Sequence, residues 1–287
     1  MCRLLGLSIL GFSLALSAAG AGTAAVPASM SEVVSPRESL PLFNGKDLSG
    51  FHTWLVDTKR TDPRQVFTVV NGEIRVSGDG LGYLATERRY RNYRLMVEYR
   101  WGNTNTHWGN RVGKARDSGI FLHADGPDGN SEDGGGAFMM ALECNLFQGA
   151  TGDILLIRGR NEQGRSVSPK IAVEVSEMRD REGWLTWQPG GQRQTLHRMG
   201  RVNWAKKSPV WKDELDFRSP SDVEKPYGEW NQIECVCEGN RIQILLNGKL
   251  VNELLEVWPS EGRILLQCEG SEIYFRRLEL QSLNRTP

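Results

Sequence analysis

Ile242-Gln243-Ile244-Leu245-Leu246, then Asn247-Gly248, then Lys249-Leu250-Val251: this run decides the fold class. Asn-Gly between two β-rich runs is the strongest short-range signal for a two-residue hairpin, because both turn positions need a positive φ. The same device recurs upstream, where Asn71-Gly72 separates Val66-Phe67-Thr68-Val69-Val70 from Glu73-Ile74-Arg75-Val76. Working outward, Tyr93 to Trp101 and Ile273 to Leu280 read as longer strands rich in aromatic and branched residues. No segment sustains a helical period beyond about three turns. Strands without intervening helices predict an all-β protein, a sandwich of two antiparallel sheets in which any helix is short and peripheral.

The composition agrees. In 287 residues there are 32 Gly, 12 Pro and 9 Trp, which suit a loop-rich β protein and not a helical bundle. The 35 basic residues balance 35 acidic ones, so the chain has no electrostatic footprint for a polyanion, and nucleic acid is not an expected partner. Residues 1–25 read as a secretory signal peptide: Arg3, an apolar stretch from Leu4 to Leu16, then Ala19-Gly20-Ala21 and Thr23-Ala24-Ala25 as cleavage sites. The apolar stretch is shorter than the ~20 residues a membrane span needs. A secreted or periplasmic protein without a span in its mature form is expected. A linker over 26–39 and one domain over 40–285 would follow, with residues 159 to 225 as an irregular insertion bordering a cleft. Cys144, Cys235, Cys237 and Cys268 remain after the signal. Their spacing suggests neither a framework nor a zinc motif; buried thiols are expected, with a pairing of Cys268 as the alternative.

The chemistry is best sought between Asp117 and Asp153. Asp117-Ser118-Gly119-Ile120-Phe121-Leu122-His123 reads as one strand, and Phe138 to Phe147 as another. Strand alternation places Phe121 with His123 on one face, and Glu143 with Asn145 on one face. A carboxylate between Leu142 and Cys144 is costly in mid-sheet unless it is paired or used. Glu143 is therefore the acid/base candidate, with His123 beside it because an imidazole titrates near neutrality. Asp125, Asp128, Glu132 and Asp133 could ligate a hard cation, although a solvated acidic loop is the simpler expectation. Neither a phosphate loop nor a serine nucleophile has support in the sequence.

Beyond these patterns, the chain resembles a known family. The order Leu42-Phe43-Asn44-Gly45-Lys46-Asp47-Leu48-Ser49-Gly50-Phe51, Asn71-Gly72-Glu73-Ile74, Asp117 to His123 and Gly149-Ala150-Thr151-Gly152-Asp153 is similar to the 3-keto-disaccharide hydrolase domain family. So are Asp222-Val223-Glu224-Lys225-Pro226, Gly228-Glu229-Trp230-Asn231, Leu246-Asn247-Gly248-Lys249 and Gly262 to Gln267, so that the resemblance runs from about Leu40 to Leu283. It implies a concanavalin A-like jelly roll that cleaves 3-keto-glycosides by elimination followed by hydration, a net hydrolysis. His123 and Glu143 match family positions in the cleft and would be the proton-transfer pair. Asn145, Gln148, Asp117, Trp101 and Trp108 would bind the sugar, with Trp230 as a further stacking residue. Glu143-Cys144-Asn145 departs from the Glu-x-Gln usual there, and Gln148 stands where an acid is common. The alternative is therefore a non-catalytic carbohydrate-binding module. No cofactor is required by this reading; the alternative is a divalent cation chelated by the enolate, with Glu143, His123, Asn145 and Gln148 as donors.

Overall fold

The computed structural model describes residues 32–198 and 200–283. The signal-peptide reading of residues 1–25 lies outside them. Val33–Val34 already pairs with Arg89–Tyr90, so the stretch read as linker joins the body before Leu40. Among the described residues no helix is long and apolar enough to cross a membrane.

Two sheets form a jelly-roll sandwich. One has eight strands in the order Leu185–Thr186, Gly200–Asn203, Ile154–Ile157, Met140–Phe147, Asp117–Asp125, Arg263–Glu269, Leu81–Thr86 and Phe51–Leu55. The other has ten, running from Gln192–Leu196 through Lys170–Val175, Lys249–Trp258, Arg241–Leu246, Asn231–Glu238, Tyr93–Asn105, Ser271–Ser282 and Glu73–Val76 to Phe67–Val70. Leu40–Pro41 also pairs with Ser271–Ser282. Both Asn-Gly hairpins form as expected, with φ of 53° at Asn71, 80° at Gly72, 48° at Asn247 and 76° at Gly248. Among the described residues, helix is confined to two short 3-10 turns, Trp108–Asn110 and Asp133–Gly136.

The core follows from the two-residue period. Leu142, Cys144 and Leu146 face the ten-stranded sheet and meet Leu95, Val97 and Tyr99 in one apolar cluster. Burying each such side chain contributes about 1.5–3 kcal/mol relative to exposure. The alternate residues of the eight-stranded sheet face away from that core. At one end of this second face the loop before Met140 lays Phe138 and Met139 over Tyr83, Phe121 and Leu265. All four described cysteines are free and buried, and Cys268 Sγ donates to Gly80 O instead of pairing.

The segment 159–225 is not a separate insertion. Lys170–Val175 and Gln192–Leu196 extend the ten-stranded sheet, while Leu185–Thr186 and Gly200–Asn203 extend the other. Ile171, Val173 and Val175 supply the apolar face that recruits the segment into the core.

Candidate active site

Glu143 and Asn145 stand on the outer face of Met140–Phe147 because Leu142, Cys144 and Leu146 are drawn into the core. In register, Glu143 lies opposite Phe121 on one side and Leu155 on the other, and Asn145 lies opposite Gly119. Gly119 is where the sheet makes room. A Cβ there would come within 2.6 Å of Glu143 Oε1 and 2.8 Å of Gln267 Oε1. The missing side chain lets these two polar tips close over the central strand.

Asp117, Gln267 and Glu269 complete the floor of a cleft of about 240 Å3, with Phe138 and Phe147 among its apolar walls. Gln267 Nε2 donates to Glu269 Oε2 at 2.7 Å, which leaves Gln267 Oε1 buried and unpartnered. Asn145 Oδ1 is also buried without a partner. No side-chain hydrogen bond or ion pair joins the Glu143 carboxylate to another described residue. Arg111 approaches Asp117 at 3.7 Å.

Arg201 supplies a cation from the neighbouring strand, where it pairs with Leu155. Its Nε and Nη2 both donate to Asp153 Oδ2, at 2.9 and 2.5 Å. Asp153 also accepts the Trp204 backbone N–H at 2.7 Å and an ion pair from Lys207 at 3.2 Å. The guanidinium is thereby fixed from behind while its charge acts on Glu143 and Asp117.

The electrostatics follow from three carboxyls brought together where burial desolvates them. Burial, then the charges of Glu269 and Asp117, hold the Glu143 pKa well above the usual range, against the pull of Arg201. Burial and Glu269 do the same to Asp117. Glu269 is pushed up to about 7 by burial, opposed by Arg111 and the Gln267 hydrogen bond. Burial thus favours the protonated form of all three, and Glu269, at about 7, passes between acid and carboxylate near neutrality, as proton transfer requires.

Of the residues expected from sequence, Glu143, Asn145 and Asp117 meet in this cleft. His123 does not join them. It has a φ of 55° beside a register shift between Met140 and Leu142, so the alternation that placed it with Phe121 breaks one residue too early. Its ring turns into the core, edge-on to Tyr93 of the opposite sheet at 5.9 Å, with Nδ1 2.9 Å from Pro259 O. Burial lowers its pKa to about 4, so it is neutral.

Trp101 is also in the core, donating to Glu224 at 2.8 Å. The Trp108 ring is occupied by His107 and Arg64, and its N–H by Asp79. Gln148 is spent on Arg116 and Asp216, at 3.1 and 3.0 Å. Trp230 lies under the guanidinium groups of Arg100 and Arg276. The four donors expected for a divalent cation thus do not converge, and no group of three or more His, Cys, Asp or Glu among the described residues is placed to hold one. The acidic loop holds no metal-binding group, and its partly exposed carboxylates are ion-paired. Asp128 pairs with His52 and Arg60, Asp125 with Arg89, and Glu132 and Asp133 with Arg158.

Sequence reasoning missed Gln267, Glu269 and Arg201. The first two carried a signal, two polar residues at alternate positions in Ile264-Leu265-Leu266-Gln267-Cys268-Glu269. Arg201 carried none, because its place depends on long-range strand pairing.

A jelly-roll sandwich with a polar cleft on the outer face of one sheet is the class these observations define. Within it, the chain belongs to the 3-keto-alpha-glucoside-1,2-lyase-like domain family, whose model matches residues 38–281. No curated protein matches the chain in sequence. Among solved structures it is similar to a Parabacteroides distasonis protein provisionally described as a glycosyl hydrolase, with 15% identity over 86% of this chain and 94% of that one and a TM-score of 0.46. A carbohydrate-binding module of Bacillus subtilis, CBM66, matches at 12% identity over 81% and 96%, with a TM-score of 0.40. The β-glucanase of Bacillus licheniformis matches at 9% identity over 86% and 97%, with a TM-score of 0.39.

Proposed function

We propose that the protein is exported and cleaves 3-keto-glycosides in the cleft floored by Glu143. The observation that carries this reading is an unpaired, buried carboxylate beside a fixed cation and a second carboxyl that titrates near neutrality. The C3 ketone acidifies the C2–H bond. The clustered carboxyls share their protons, and in the state that carries the charge on Glu143 and a proton on Glu269, Glu143 takes the C2 proton while the electron pair moves into an enolate next to the Arg201 charge. Collapse of the enolate breaks the bond from C1 to the glycosidic oxygen, and Glu269 protonates the departing oxygen. Water then adds across the new C1–C2 double bond. No oxocarbenium ion or covalent enzyme intermediate is needed.

The test is incubation of the purified protein with a 3-keto-disaccharide, with product analysis and with exchange of the C2 proton in deuterated solvent. Release of free sugar or a glucal supports the reading. Tight binding with neither exchange nor release would overturn it in favour of a carbohydrate-binding module.

A further inference from the structure

A second and larger cavity, about 340 Å3, lies in the segment 176–211 and does not share a lining residue with the cleft. Its size falls within the roughly 300–1,000 Å3 of small-molecule pockets. One wall separates the two. On the apolar side of that wall Phe147 faces the cleft and Trp211 the cavity, with ring centroids 4.8 Å apart. On its polar side Asp153 holds Arg201 toward the cleft and Lys207 toward the cavity.

Three cations line the cavity: Arg179, Arg181 and Lys207. Among the described residues neither arginine has a carboxylate within ion-pair distance. Each is anchored by one bond to a carbonyl, Arg179 to Gly183 O at 2.8 Å and Arg181 to Trp211 O, so most of each fork remains open. The Lys207 side chain is only 6% exposed. It shares the single charge of Asp153 with Arg201, so the wall has one more positive than negative charge. Of the two acids at the cavity, Asp180 is occupied by the backbone N–H groups of Glu182 and Trp184 and by Asn203, and Glu182 is exposed, so the three lining cations outnumber the lining acids by one. Pro189 and the exposed Met178 add apolar surface on which the C–H face of a sugar ring can pack, while Trp187 closes the cavity floor from the core.

We propose that this cavity binds an acidic sugar, with the carboxylate of a uronic acid gripped by Arg179, Arg181 and Lys207. Planar guanidinium groups match a carboxylate in two-point contact, and the Lys207 charge, held in place by Asp153 and Asn203, adds to the positive field at the cavity wall. Burial already draws the Lys207 pKa below its ordinary value, with Arg201 adding to the effect. The proposal concerns binding, so it does not depend on turnover in the cleft.

Calorimetric titration of the purified protein with methyl β-D-glucuronide, methyl β-D-glucoside and inorganic sulfate tests it. The glucuronide should bind one equivalent at least about tenfold tighter than either other probe, since one charge-assisted contact is worth that much. Arg179→Gln with Arg181→Gln should remove the preference in protein of unchanged circular dichroism, and Glu143→Gln should leave it intact. Equal binding of glucuronide and glucoside overturns the proposal. Sulfate binding as tight as glucuronide also overturns it, because the pocket would then recognise charge without sugar. Loss of the preference in Glu143→Gln but not in the arginine variant would place the acid in the cleft and overturn it too.

Discussion

Asp153 and Glu224 are buried as deeply as Glu143, with exposures of 0%, 4% and 3%, yet they are bonded in the opposite way. Asp153 meets Arg201, Lys207 and the Trp204 N–H. Glu224 accepts from Tyr99, Trp101 and the Gly149 N–H at 2.8, 2.8 and 3.0 Å. Glu143 has no such donor and two acidic neighbours. Donors reach the first two because each lies beside a loop, within reach of side-chain donors and one free backbone N–H, that of Trp204 to Asp153 and that of Gly149 to Glu224. Glu143 stands in mid-sheet, where the ladder has consumed the backbone. Burial alone therefore does not mark a site; burial without donors does.

The comparison breaks first at Glu143→Gln. C2 exchange and turnover on a 3-keto-glucoside should fall by ~10²–10⁴-fold, the usual contribution of a positioned base. Stability should hold or rise, because a carboxyl whose neutral form burial already favours is replaced by a neutral amide of the same shape. Asp153→Asn should do the reverse in denaturant unfolding, losing about 3–5 kcal/mol, the cost of leaving buried partners uncompensated. Equal stability losses in the two variants would erase the distinction.

Gly119→Ala sharpens the same contrast from the neighbouring strand. The added methyl meets the tips of Glu143 and Gln267, both flexible ends, so the fold should tolerate it. Misplacing the base by about an ångström should still slow exchange by ~10²-fold. Unfolding that worsens while exchange stays at the wild-type rate would mean that the tips do not need their present positions.

A weaker signature lies in pH. Glu269 is raised from 4.5 to about 7, so the folded protein keeps a proton there that the unfolded chain has lost. Between those values stability from Glu269 must fall as pH rises, the reverse of an ordinary paired carboxylate. Glu143 and Asp117, raised for the same reason, add in the same direction. Subtracting the stability profile of Glu269→Gln from that of the wild type isolates the effect. As the proton donor, Glu269 should also impose a fall in turnover above about pH 7 that the variant lacks. A difference profile that is flat from pH 5 to 8 would remove Glu269 from both roles.

How much of this was legible depended on whether the signal was local. Asn71-Gly72 and Asn247-Gly248 specify their hairpins because each turn needs two positive φ values in sequence. Glu143 was legible because the apolar neighbours Leu142 and Cys144 fix the face of its strand. His123 was misplaced because a bulge resets alternation and leaves no mark in composition. Trp101 and Gln148 were misassigned because the partners that occupy them, Glu224 and Asp216, lie 123 and 68 residues away. Arg201 was invisible for the same reason, since its position rests on pairing between Ile154–Ile157 and Gly200–Asn203.

His123 provides the smallest effect and the plainest check on that account. It was expected beside Glu143, and the fold turns it to the opposite side of the same sheet. Asn tolerates a positive φ better than most residues, so His123→Asn keeps the bulge while removing the imidazole. The loss should be about 1–3 kcal/mol of stability, from the Pro259 carbonyl left without its donor. The pKa of His123 is lowered from 6.5 to about 4, so its stability contribution is present above 6.5 and is lost as pH falls toward 4. That sign opposes the one for Glu269, and the variant should be less sensitive to acid over this window. C2 exchange should be unchanged. If exchange fell ~10²-fold in folded protein, the imidazole would belong to the chemistry and the strand would have to present it to the cleft.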